Sequence, residues 1–93
     1  MSQHQTAAWL VTYDIADPRR LMHVFKHLKK VGSPMQYSVF AVDASNAKMG
    51  ALMAHIATLI HAREDDVRAY RLPLNGWRAT LGNDMLPADL WIA

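Results

Sequence analysis

The stretch Ala8-Trp9-Leu10-Val11-Thr12-Tyr13-Asp14-Ile15, running on into Asp17-Pro18, decides the fold. It is rich in β-branched and aromatic residues, apolar on both alternating faces (Trp9, Val11 and Tyr13 against Ala8 and Leu10) and short, which reads as a largely buried strand. Asp17-Pro18 then supplies a capping carboxylate with proline at the first helical position, a helix start. From there Leu21, Val24, Phe25, Leu28 and Val31 recur at helical spacing, while Arg19, His23, Lys26 and Lys30 fall on the opposite side. Gly32 stands where a C-cap is expected and Pro34 follows it, so the helix is expected to end there.

Downstream, residues 35–42 (MQYSVFAV) form a second strand region, kinked at Ser38 into two pieces. In that reading Gln36 and Ser38 share a face with Phe40. Asp43 and Ser45 offer caps for a second helix over 46–62, with the stripe Met49, Leu52, Met53, Ile56, Leu59 and Ile60, and Gly50 weakens its first turn. After the acidic turn Glu64-Asp65-Asp66, residues 67–72 (VRAYRL) read as a strand closed by Pro73. The tail carries a turn signal at Asn75-Gly76, a candidate strand at 77–81 and an apolar end at Leu90-Trp91-Ile92.

This order, with right-handed crossovers, puts both helices on one face of a small sheet. Strand one is apolar on both sides, so the other face of the sheet would expose a sizeable apolar patch in a monomer, and a two-fold dimer is the economical way to cover it. At 93 residues the chain supports one core, so a single domain over 1–93 is expected, with a core at 8–73 and a tail at 74–93.

With 52% hydrophobic and 19% charged residues the composition is that of a folding chain, and the absence of cysteine removes disulfides, thiolate metal sites and cysteine nucleophiles. The longest apolar stretch, Met49 to Ala62, is broken by Gly50, His55, Thr58 and His61, which is no membrane span. The polar start Met1–Thr6 has no secretory pattern, so a cytoplasmic location is expected. The net charge of +2 names no partner, but residues 18–42 hold Arg19, Arg20, Lys26, Lys29 and Lys30 and no Asp or Glu. A one-signed segment of that kind suits a phosphate-facing surface.

Asp14 is the first candidate for chemistry: a carboxylate at the end of an apolar strand, just before a basic helix. Two readings stand side by side, a hydrogen bond to the turn before Pro18 and a ligand for a divalent cation. One carboxylate is a poor Mg²⁺ site. Two copies brought together by a dimer axis would improve it, because a cation would relieve their mutual repulsion. Asp17 reads as the helix cap. Arg19 and Arg20 open the helix where the macrodipole disfavours cations, a small cost that phosphate contacts would offset. His23 and His27 are four apart, but no Glu follows His23 and no third ligand is evident, so the pair is not read as zinc-binding; His55 and His61 read as surface or boundary residues. No phosphate-binding glycine loop and no paired-aromatic RNA-recognition signature occurs.

Taken together, Val11–Arg20 (VTYDIADPRR), Gln36–Phe40 (QYSVF) and Asp66–Leu72 (DVRAYRL) make the chain similar, over residues 8–73, to the small CRISPR-associated endoribonucleases of the spacer-acquisition module. The resemblance implies an α+β ferredoxin-like sandwich, a homodimer packed sheet to sheet, and C-terminal strands exchanged to complete the partner's sheet. It also implies Mg²⁺-dependent phosphodiester cleavage of RNA or DNA, with Asp14 as catalytic metal ligand and Tyr13, Arg19, Arg20 and Phe40 near the same site. Family members further bridge dimers of the CRISPR integrase and hold duplex DNA. Arg19, Arg20, Lys26, Lys29 and Lys30 would suit that backbone binding. Many members carry an acidic residue after the position of Phe40, where this chain has Ala41.

The expectation is therefore a homodimeric CRISPR adaptation protein that binds duplex DNA or single-stranded RNA, meets an integrase subunit, and cleaves nucleic acid with Mg²⁺ at paired Asp14. The alternatives are a non-catalytic structural adaptor and a toxin-like ribonuclease on the same fold.

Overall fold

Six elements follow one another over residues 5–72, the part of the chain that this computed structural model describes. They are β1 (Thr6–Asp14), α1 (Pro18–Val31), β2 (Gly32–Gln36), β3 (Val39–Ser45), α2 (Asn46–Ala57) and β4 (Asp66–Arg71). The strands form one sheet in the order β2-β3-β1-β4, and every neighbouring pair is antiparallel. Each helix connects two strands that run parallel with a third strand between them, so two split β-α-β units interlock. The result is a small α+β fold with two helices packed on a four-stranded antiparallel sheet. The expected tail features at 74–93 lie outside the described residues.

Alternation along β1 divides the sheet. Val11 and Tyr13 face the helices and join Phe40, Val42 and Ala44 of β3, Val24 and Leu28 of α1, and Met49, Leu52 and Ile56 of α2 in the main core. Burying side chains of this size contributes roughly 1.5–3 kcal/mol each. Phe40 is wholly buried at its centre, edge-on to Phe25 at 5.4 Å and 6.1 Å from Tyr13 between ring centroids. On the opposite face Leu10 and Val39 form a second cluster, bordered by Ala41, Tyr70 and Leu72. Leu10 and Val39 are themselves fully buried, so the apolar surface on that side is confined to the half-buried rim.

The helices begin as their caps predict. Asp17 Oδ2 accepts from the backbone N–H groups of Arg19 and Arg20, both at 3.0 Å, and Ser45 Oγ accepts from Lys48 N at 3.1 Å. Of the two caps offered for α2, Ser45 is the one used. The second helix is shorter than its apolar stripe: Thr58 N and Oγ1 both donate to His55 O, tightening the last turn, while Leu59 and Ile60 still pack on the core from the connection.

The second strand region differs most from expectation. The break expected at Ser38 is present, but the two pieces it separates are the antiparallel strands of a hairpin, and the first of them already begins at Gly32. Tyr37 and Ser38 form its turn, and Ser38 takes the positive φ of 65° that closes it. A bulge between Pro34 and Gln36 breaks the alternation, so Gln36 lies opposite Val39, not on a common strand with Phe40. Pro34 is tolerated because β2 is an edge strand. Gly32 is needed because β2 leaves α1 directly beneath β3, where a Cβ would overlap the carbonyl oxygen of Ala41.

Candidate nucleic-acid site at the Asp14 end of the sheet

The C-terminal end of β1, the start of α1, the hairpin turn at Tyr37-Ser38 and the connection from α2 to β4 all converge at one end of the sheet. Asp14 is exposed there, and it faces Asp66 in the β1–β4 register. Both carboxylates project from the face opposite the helices, since Tyr13 and Val67 beside them pack into the main core. Two like charges on one rung repel. Asp66 is relieved by Arg68, whose Nε donates to Asp66 Oδ2 at 2.8 Å on the exposed surface; no described cation pairs with Asp14.

The preceding residue turns the other way. Asp65 is buried, and its carboxylate ties three segments together. Oδ1 accepts from Ala16 N at 2.9 Å, Oδ2 accepts from His61 N at 2.8 Å, and Arg20 Nε donates to Oδ2 at 2.7 Å. Arg20 Nη2 also reaches Asp65 Oδ1 at 3.1 Å and Glu64 Oε1 at 3.0 Å. These bonds fasten the β1–α1 connection to the α2–β4 connection, and so hold the backbone that carries Asp14. The hydrogen bond from Arg20, with those from the two backbone amides, holds the Asp65 carboxyl well below the usual carboxylate range against the cost of burial, and the same pair holds the Arg20 guanidinium firmly protonated. No motif reading of the sequence picks out Asp65, because its partners lie as far as 49 positions away.

The other expected site residues separate into support and surface. Phe40 is fully buried and Tyr13 nearly so, which places both beneath the site as packing, not on its open lining. Burial, and then the nearby Tyr37, push the Tyr13 hydroxyl pKa up. Arg20 is committed to the Asp65 clamp through Nε and Nη2. Arg19, Lys26 and Lys30 are exposed on α1, and no described carboxylate pairs with them. Lys29 lies 5.9 Å from the Phe25 ring centroid and shields the core edge. Missed by the sequence reading, Tyr37 stands at the hairpin tip with 76% of its surface exposed. His27 of α1 and His55 of α2 pack ring to ring at 4.3 Å.

Mg²⁺ asks for several hard oxygen ligands or a phosphate to supply them. One chain offers Asp14 and Asp66, the second already paired with Arg68, and among the described residues no group of three carboxylate or imidazole side chains converges. The described part of a single chain thus does not fit a protein-held metal centre.

The strand order, the two helices on one face and the strand-end carboxylate define a ferredoxin-like protein with a cationic first helix. The family model for CRISPR associated protein Cas2 matches residues 7–80, and the chain belongs to the Cas2 family. It is 44% identical over 80 residues to a CRISPR-associated endoribonuclease Cas2 of Thermodesulfovibrio yellowstonii, covering 85% of this chain and 88% of that one. Against a protein of the same name from Nitrosomonas europaea it is 37% identical, covering 88% and 78%. The crystal structure of Streptococcus pyogenes Cas2 superposes with a TM-score of 0.70 at 31% identity, over 77% of this chain and 93% of that one. A hypothetical protein from Thermus thermophilus, TT1823, gives 0.72 at 26% identity, over 74% and 84%. Among the described residues no helix is long and apolar enough to cross a membrane.

Proposed function

We propose that the chain works as a homodimeric adaptor of CRISPR adaptation, holding duplex DNA on the outer face of α1 and bridging integrase dimers around it, with its C-terminal strands exchanged between protomers. The observation that carries this reading is the exposed row Arg19, Lys26 and Lys30, cations that no described carboxylate pairs with, in a segment free of acidic residues. Charges left unpaired on a rigid helix are available to phosphates at little reorganisation cost. Basic residues in the last turn of α1, Lys29 and Lys30, complement its dipole, which offsets the small cost of Arg19 in the first turn.

The test is duplex binding against salt concentration. Neutralising Arg19, Lys26 and Lys30 together is expected to weaken binding and to flatten the slope of log affinity on log salt by about 0.9 for each phosphate no longer neutralised. An unchanged slope would move the DNA surface off α1.

A second reading, nucleic-acid cleavage with Mg²⁺ at paired Asp14 of the two protomers, is favoured by the exposed strand-end carboxylate and by the endoribonuclease name of the relatives. Asp14→Asn separates the two: under the adaptor reading integration and duplex binding survive, and under the second reading cleavage is lost.

A further inference from the structure

We propose that Tyr37 is a stacking platform for an unpaired nucleobase beside Asp14, so that the site takes single-stranded ends or loops and not only duplex backbone. This rests on the nucleic-acid reading above. Four features of the hairpin tip carry it. The Tyr37 ring is 76% exposed, the most exposed of the large apolar side chains described. The turn that presents it is strained, since Ser38 holds a φ of 65°, a left-handed conformation that costs a residue with a Cβ about 1 kcal/mol or more. The turn is also pinned, because Tyr13 N donates to Ser38 O at 3.1 Å, fixing the tip to the residue before Asp14. Tyr13, whose amide holds the tip, is itself fixed in the core through its ring contact with Phe40, which packs on Phe25.

A rigid ring held out in water costs free energy unless something covers it, and strain of this kind is kept where the surroundings over-determine it. The flanking residues are the polar Gln36 and Ser38, and at the same end of the sheet stand the carboxylates of Asp14, Asp66 and Glu64 and the cations Arg19, Arg63 and Arg68, with Asp66 answered by Arg68 and Glu64 by Arg20. A flat aromatic face among polar groups, with exposed cations at the same end of the sheet, matches a nucleobase: its face stacks, its edge hydrogen-bonds and its backbone meets the cations. An apolar protein segment would leave those polar groups unpaired.

The experiment compares two probes, a blunt duplex and the same duplex carrying single-stranded tails with a fluorescent base analogue, on wild type, Tyr37→Ala and Tyr37→Phe. Tyr37→Ala is expected to weaken the tailed probe about 5- to 100-fold, to abolish the change in analogue fluorescence, and to leave the blunt duplex unchanged. Tyr37→Phe, which keeps the ring, is expected to behave as wild type. Equal loss on both probes, or no loss on the tailed one, would overturn the stacking role while leaving the adaptor standing. If wild type bound neither probe, the adaptor reading would fail with it.

Discussion

Asp14 and Asp66 occupy the same rung of the β1–β4 ladder, and of the two only Asp66 has a described cation to answer it. Like charges placed directly across a sheet destabilise it by roughly 0.2–1 kcal/mol. Asp14→Asn is therefore expected to raise Tm slightly in metal-free buffer, and Asp66→Asn to raise it less, because it also strands Arg68. A lower Tm for Asp14→Asn would mean that the carboxylate makes a stabilising contact instead. Under the reading in which the two protomers' Asp14 carboxylates share a cation, added Mg²⁺ is expected to stabilise wild type more than Asp14→Asn, and equal shifts would count against that reading.

Asp65 is expected to control stability in acid. Its folded-state pKa lies below the unfolded value of about 4, so the unfolded chain takes up the proton first. The contribution is fully present above about pH 4 and is lost as the pH falls toward the folded value. The hydrogen bond from Arg20 is the largest cause, discounted because Arg20 is partly exposed and its charge is screened, and the amides of His61 and Ala16 add to it. Asp65→Ala leaves Ala16 N and His61 N without their acceptor and is expected to cost about 2 kcal/mol or more at neutral pH, a gap that narrows toward pH 2. Denaturant midpoints at the two pH values check it; a gap independent of pH would remove the carboxylate from the account.

These two aspartates also mark where a linear reading stops. Asp17, Leu21 and Leu28 can be placed from spacing alone, because capping and helical periodicity are local. The roles of Asp65 and Asp66 depend on strand register and on a partner near residue 16, neither of which leaves a trace in neighbouring residues. Arg20 reads as a phosphate ligand for the same reason: its chain neighbours are basic, and the acids that claim it arrive from the far end of α2. The hairpin at Tyr37-Ser38 is visible in the sequence only as a kink, since no glycine or asparagine marks its positive φ. Tyr13 and Phe40 enter through the family pattern, and the structure places them as the floor under the site.

His27, packed against His55, is expected to make stability fall between neutral and mildly acidic pH. Burial first, then His55 and Lys30, hold the His27 pKa below its ordinary value of 6.5. The unfolded chain is then protonated at higher pH than the folded one, so this contribution is complete above about pH 6.5 and declines as the pH drops below it. Wild type is expected to lose more Tm between about pH 7.5 and about pH 5.5 than His27→Gln does. Parallel curves for the two proteins would assign the pH response to other groups.

Gly32 and Gly50 are expected to answer the same substitution with opposite signs. A Cβ on Gly32 would overlap the carbonyl oxygen of Ala41 and stand 2.7 Å from Val42 Cγ2, and the oxygen belongs to the β2–β3 ladder, which cannot yield without moving the strand. Gly32→Ala is therefore expected to destabilise by roughly 1–3 kcal/mol. Gly50 sits exposed in α2 with nothing within 4 Å of the added methyl, so Gly50→Ala removes only backbone entropy and is expected to stabilise by up to about 1 kcal/mol. Chemical denaturation of both variants measures the contrast directly. If the two shifted stability in the same direction, the close approach of β2 to β3 at Gly32 would not be the reason a glycine stands there.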